Sequence, residues 1–208
     1  RLQRGGGAAG LFAAIHAGRR GRSVMVIEHG PEAGRKIRIS GGGRCNFTNL
    51  HCRPEHFLSD NPHFQKSALA QYSAQDFIAL VESHNIPYEE KTLGQLFCNR
   101  SSGDILDLLA KECASSSVDV QLSAEISAIS HSGSFRVETN RGLFQSESLI
   151  VATGGLSIPK IGASDLGYRI ARQFGHTVIP CRPALVPLTS APGTERSLRA
   201  WQGYLSTA

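Results

Sequence analysis

Six residues near the start, Gly5-Gly6-Gly7-Ala8-Ala9-Gly10, restrict this chain more than any other stretch. Gly5, Gly7 and Gly10 have the G-x-G-x-x-G spacing, which serves a tight turn, a point where main chain can touch a pyrophosphate, and a close helix-to-strand contact. Ala8 and Ala9 keep the start of the next helix free of bulk. That helix, expected from Ala8 to about Arg20 and closed by Gly21, offers N–H groups and a positive dipole end to an anion. The apolar run Ser23 to Ile27 follows and is tipped by Glu28. Glu28 lies 18 residues after Gly10, near the roughly 20-residue offset at which an acid meets ribose hydroxyls. A carboxylate there repels a 2′-phosphate, so the expected ligand is FAD or NAD rather than NADP.

The glycine fingerprint requires a buried strand before it, and Arg1-Leu2-Gln3-Arg4 reads as too short and too polar for one. The expectation is a fragment that begins inside its first βαβ unit. Composition is ordinary for a globular chain of 208 residues, 40% hydrophobic and 19% charged, which excludes disorder. No apolar run is long enough to span a membrane and no leader is visible. Five scattered cysteines suit reduced thiols in a cytoplasm. The net charge of +5 is dispersed; it is compatible with an anionic cofactor or weak attraction to nucleic acid and proves neither.

Along the chain, Ser73 and Asp76 announce a helix running to His84, and a second helix is expected from Ser102 through Cys113. Val118–Leu122, Glu125–Ile129, Ser134–Thr139 and Leu143–Ser148 read as four antiparallel-type strands, the last two joined at Asn140-Arg141-Gly142. Leu149–Ala152 reads as a buried parallel strand ending in Thr153-Gly154-Gly155. A meander that returns to a central strand tipped with Thr-Gly is the layout of FAD-binding domains rather than of simple dehydrogenases. A helix to Phe174 and a strand at Thr177–Ile179 follow. The domain is expected to cover 1–190, with 191–208 opening a second, inserted domain.

Gly41-Gly-Gly-Arg-Cys-Asn46 with Thr48-Asn49, the Gly5–Leu11 block, Gly34-Arg-Lys-Ile37, Ala152-Thr-Gly-Gly-Leu-Ser-Ile-Pro-Lys160, Gly167–Ile170 and Arg182–Leu188 together resemble the YhiN/BaiN-like family of bacterial FAD-dependent oxidoreductases. The resemblance runs from Gly5 to about Thr189. It implies an α/β fold: a Rossmann-like FAD-binding domain of the two-dinucleotide-binding flavoprotein type, carrying an inserted β-meander, here with its first strand truncated. It also implies proteins about twice this length whose last third completes the flavin site. Family members are described as oxidoreductases of mostly unassigned substrate, some linked to reduction of carbon–carbon double bonds in steroid-like acids.

Expected cofactor contacts are then Gly5, Gly7, Ala8, Ala9, Gly10 and Glu28 on the adenosine diphosphate side. Gly41, Gly42, Gly43, Cys45, Asn46, Thr48, Thr153, Gly154 and Gly155 belong to the flavin side. Arg35, Lys36 and Arg44 are cations for the pyrophosphate or an acidic substrate, Arg44 the foremost because it is embedded in glycines. Ile126 is placed where main chain meets the adenine. Cys45 has no C-x-x-C partner and is read as packing, and the spacing of Cys45, His51, Cys52, His56 and His63 matches no zinc pattern. No catalytic residue is named, since a flavin carries its own chemistry. The expected function is hydride transfer from NAD(P)H through FAD to a small organic acceptor, an enoyl-type C=C bond among the candidates. No nucleic acid or membrane partner is expected. The alternative is a non-redox, RNA-associated or regulatory flavin-binding protein.

Overall fold

The computed structural model describes residues 2–158 and 161–181. Residues 1–175 form one compact unit; of the second, 176–208, only 176–181 are described, and they hold no helix or strand. The expected strand at Thr177–Ile179 is therefore absent. The Arg182–Leu188 block and the inserted domain beyond residue 190 lie outside the described residues.

β1 (Leu2–Arg4), β2 (Val24–Ile27), β6 (Val118–Gln121) and β10 (Leu149–Val151) make a parallel sheet in the order β10-β1-β2-β6. The first strand expected to be missing is thus present. Leu2, Gln3 and Arg4 pair with Met25–Ile27 on one side and Leu149–Val151 on the other. A strand bonded on both edges is held by its main chain, so a polar three-residue sequence suffices. The second correction concerns β6, which joins this parallel sheet rather than the antiparallel group. It alternates because it is an edge strand: Val118 and Val120 pack on the helical core while the Gln121 amide bonds the Asp119 carboxylate outside.

β2 explains the layering. Val24 and Val26 point into a core built with α1 (Ala8–Arg19) and α5 (Gly103–Ser115), while Met25 and Ile27 face a second core on the opposite side. A strand covered on both faces reads as a continuous apolar run. α1 supplies Leu11, Ala14 and Ile15 to the first core and α5 supplies Ile105, Leu108 and Leu109. The second core is closed by the meander of β7 (Ile126–Ser132), β8 (Ser134–Thr139) and β9 (Gly142–Ser146), and by α6 (Leu166–Gln173), through Ile129, Val137 and Ile170. β8 and β9 pair from Thr139 against Gly142, with Asn140 and Arg141 at the turn. β10 is less covered than its sequence suggests, since Val151 is exposed.

Between β2 and α5 the chain builds an appendage that the sequence shows only in part. It contains α2 (Arg35–Ile39), α3 (Lys66–Gln71), α4 (Ala74–Ser83), and an antiparallel sheet of β3 (Asn46–Asn49), β4 (Tyr88–Glu90) and β5 (Gln95–Cys98) in the order β3-β5-β4. α4 starts with the expected capping box: Asp76 N–H donates to Ser73 Oγ at 3.2 Å and Ser73 N–H donates to Asp76 at 2.7 Å. Among the described residues no helix is long and apolar enough to cross a membrane.

Two substitutions grade these contacts. A Cβ on Gly18 of α1 would overlap the Ser116 carbonyl and lie 2.9 Å from the Ser116 side chain. Gly18→Ala therefore forces α1 away from the end of α5 and costs about 1–3 kcal/mol. Ser73→Ala removes only a cap and costs about 1 kcal/mol. Urea denaturation of both variants should rank them in that order; equal costs would contradict the close approach of α1.

Candidate functional site: a dinucleotide cleft and an adjoining apolar cavity

A cleft of about 270 Å³ opens at the C-terminal ends of β1, β2 and β10, where parallel sheets of this kind take their ligands. Gly5 and Gly7 form its floor. Gly5 has φ +108°, and a Cβ there would strike the Ala152 carbonyl group; Gly7 is the N-cap of α1, has no side-chain cap, and faces open space. The turn thus brings main chain against the tip of β10 and leaves the first turn of α1 bare toward the cleft.

Glu28 is buried, only 7% exposed; its oxygens are bonded by main chain and the Arg35 guanidinium lies 3.8 Å from Oε1. Oε2 accepts from Gly6 N–H at 2.7 Å and Oε1 from Gly30 N–H at 2.8 Å. His29 Nδ1 lies 3.0 Å from Oε1, and the Arg35 guanidinium is 2.8 Å from His29 Nε2. Arg35 can only donate, so His29 accepts through Nε2 and carries its proton on Nδ1, facing Glu28. Lys36 crosses the cleft and donates to Ser157 Oγ at 2.6 Å and to the Gly155 carbonyl at 3.3 Å, tying α2 to the loop after β10.

A second cavity of about 550 Å³ shares Ala8, Ala9, Lys36 and Ile37 with the cleft. Its walls are largely apolar and aromatic: Phe12 and Tyr72 meet edge to face at 4.8 Å between ring centroids, Phe12 and Phe77 at 6.2 Å, and Phe47 and Phe77 at 6.1 Å. Burial pushes the Tyr72 phenol up, aided by Asp76, and so keeps it protonated.

The structure brings Gly5, Gly7, Ala8, Ala9, Glu28, Arg35, Lys36, Thr153 and Gly154 into the cleft, with Gly155 beside it through Lys36. Gly10 is buried inside the first turn of α1. Cys45, Asn46 and Thr48 line the apolar cavity. Gly41, Gly42 and Gly43 line neither space; all three have positive φ and shape a tight loop, in which a Cβ on Gly41 would lie 2.6 Å from the Asn46 amide nitrogen. Arg44, ranked first among the cations, instead pairs with Glu89 of β4 at 2.8 Å, and Ile126 packs on the second core. His29, Gly34 and the 161–164 loop also line the cleft and were not anticipated. His29 had a signal in its position directly after the acid. Among the described residues no group of His, Cys, Asp or Glu is arranged to hold a metal.

Three of the thiols, Cys45, Cys98 and Cys113, are buried. Burial, followed by the neighbouring Cys45 and Asp104, pushes Cys98 up to about 12; burial and Glu112 push Cys113 up to about 11; burial also raises Cys45. A disulfide reagent applied to the native protein at pH 8 should therefore modify exposed Cys181 and half-buried Cys52, and leave Cys45, Cys98 and Cys113 untouched until denaturant is added. More than two reactive thiols in the native state would contradict this packing.

A parallel sheet with helices on one face, a meander and α6 on the other, and a glycine turn bonded to an acid-tipped strand defines a Rossmann-like domain of the FAD-binding flavoprotein type. The chain belongs to the family described as HI0933-like protein Rossmann domain, whose model matches residues 4–195. It is 50% identical over 186 residues to a "Ribosomal RNA dihydrouridine synthase" of Escherichia coli (strain K12), covering 89% of this chain and 46% of that protein. It is 31% identical over 189 residues to a "3-dehydro-bile acid delta(4,6)-reductase" of Clostridium scindens (strain ATCC 35704 / DSM 5676 / VPI 13733 / 19), covering 88% and 46%. Among solved structures, the open conformation of a flavocytochrome c3 fumarate reductase superposes with a TM-score of 0.59 at 20% identity, over 84% of this chain and 40% of that one, a likeness of fold. The chain spans about half the length of the curated relatives it matches. The expectation of no nucleic acid partner is overturned by the first relative, whose name assigns it an RNA substrate.

Proposed function

We propose that this chain is the FAD-binding part of a flavin-dependent reductase that saturates a C=C bond conjugated to a carbonyl, with NAD(P)H as hydride source and the uracil ring of RNA as acceptor. The observation that carries the reading is the buried Glu28 carboxylate bonded to the bare glycine turn, with both lining one cleft. Both relatives' names describe loss of a carbon–carbon double bond, and half-identity to the RNA enzyme favours uracil over a steroid.

The residues fit a flavin dinucleotide. The open first turn of α1 presents N–H groups for a pyrophosphate, and Lys36 adds a cation beside it. Glu28, held by Gly6 and Gly30, keeps acceptor capacity for ribose hydroxyls and rejects a 2′-phosphate. His29 and Arg35 fix that carboxylate from the solvent side. When bound, FAD supplies a carrier that takes a hydride from a nicotinamide and gives it to carbon. The chain's part is to hold, orient and exclude water. An RNA acceptor would support a cytoplasmic location.

The test uses the full-length protein containing this chain. It should purify yellow, release FAD on denaturation, be bleached by NADH or NADPH without oxygen, and convert uridine to dihydrouridine in unmodified ribosomal RNA. Flavin retention and bleaching with no change in RNA would discard the acceptor and keep the reductase; a colourless protein that tightens on RNA without turnover would favour a non-redox RNA-binding role.

A further inference from the structure

We infer that the loop between β3 and α3 carries a seat for a second base of the RNA, an unpaired base close to the acceptor uridine; this rests on the function proposed above. Under that function the cleft, at about 270 Å³, holds only part of FAD, and the adjoining cavity receives the flavin end. The acceptor then comes to the flavin from outside the cavity, past its rim. Cys52 and Leu69 are wall residues of that cavity, and the loop is the chain between them. A separate hollow of about 240 Å³ lies in the loop, lined by Pro54, Phe57, Leu58 and Pro62, with Lys66 at the start of α3. Lys66 is three residues, about 4.5 Å of helix, from Leu69 at the cavity wall.

The hollow suits a flat neutral ring. Gln65 is buried and donates through Nε2 to the Pro54 carbonyl at 2.7 Å and to the Pro62 carbonyl at 3.3 Å, which ties the loop across its base. Phe57 and Leu58 are left 45% and 96% exposed, and Phe64 in the same loop 80%. Exposed aromatic faces beside a nucleic-acid site are stacking platforms for unpaired bases. Glu55 and Lys66 line the same hollow, and neither side chain makes an ion pair or hydrogen bond among the described residues. Arg38, Arg44 and Arg100 of the same appendage, by contrast, pair with Glu32, Glu89 and Asp104. A phosphate in the hollow would be repelled by Glu55, and an apolar partner would strip both charged groups of water and return nothing. A nucleobase returns both bonds: a carbonyl or ring nitrogen for the ammonium and amino or imino hydrogens for the carboxylate, with its face on Phe57. The volume is below the roughly 300–1,000 Å³ of pockets that enclose a drug-sized ligand, which fits one ring system.

The experiment uses the full-length protein and ribosomal RNA lacking dihydrouridine. Phe57 and Glu55 are exposed, and each is replaced in a separate protein with flavin content measured alongside. Phe57→Ala should raise the KM for RNA about tenfold with kcat retained. Glu55→Gln should raise it several-fold, since an amide accepts more weakly than a carboxylate. Ultraviolet irradiation of the unsubstituted complex should join RNA to the segment 54–66, read by peptide mass spectrometry. A lowered KM in Glu55→Gln would put a phosphate in the hollow and overturn the base. An unchanged KM in Phe57→Ala, or cross-links mapping only elsewhere, overturns the seat and leaves the proposed function standing. Loss of flavin in either variant also overturns it, because the loop would then serve the cofactor or the fold. Hydroxyl-radical labelling of the RNA-free protein should modify Phe57; a shielded Phe57 would assign the hollow to the rest of the protein and overturn the seat as well. No dihydrouridine from the unsubstituted protein removes the RNA acceptor itself and the seat with it.

Discussion

Everything at the ligand end of the sheet depends on one buried carboxylate that is held by main-chain N–H groups and has the Arg35 guanidinium 3.8 Å away as its countercharge. Glu28 sits at the tip of β2 and bridges Gly6 N–H on the glycine turn and Gly30 N–H on its own loop. A charge removed from water is tolerated only when its lone pairs are occupied, and these two bonds bind the turn to the strand. The turn can come so close because Gly5 and Gly6 lack side chains: a Cβ on Gly6 would lie 3.0 Å from Glu28 Cβ, and one on Gly5 would meet Ala152. Turn, acid and the tip of β10 therefore form one interlocked unit, and the cleft is the space it leaves.

The loop at residues 40–45 is organised on the same principle but for a different end. Three successive glycines in left-handed conformation, followed by Cys45 at φ +51°, curl the chain so that Gly43 accepts from Ser102 N–H and Arg44 accepts from Cys98 N–H. The glycines serve the curl, and what reaches the cavity is the strand that leaves it, through Asn46 and Thr48. A glycine-rich loop can line no cavity itself and still aim the residues that follow it into one.

The glycine turn, α1, the acid at Glu28, the capped α4 and the meander were legible because each rests on local chemistry: a spacing, a cap, a period of two. What was not legible depended on partners. β1 is a strand because two neighbours bond it, which the polarity of Gln3 and Arg4 concealed. β6 alternates like a hairpin strand because it lies at a sheet edge, and Thr177–Ile179 has strand-like residues but pairs with no strand among the described residues. Within the site, the sequence put Arg44 first among cations by its glycine neighbours; only the position of Glu89 on β4 shows where its charge is used. The aromatic cavity draws on α1, β3 and α4, so no single window of sequence contains it.

Gly7→Asp tests the central claim most directly. Gly7 is the N-cap of α1 with open space around it, and Asp is a better N-cap than Gly, so the fold should be unharmed or slightly more stable. The new carboxylate would stand where the cleft is to receive a pyrophosphate. Titration of FAD into flavin-stripped full-length protein, followed by flavin fluorescence, should show affinity lowered by about a hundredfold or more, with an unchanged melting temperature in the absence of flavin. FAD affinity equal to that of the unsubstituted protein would show that the glycine turn does not hold the diphosphate.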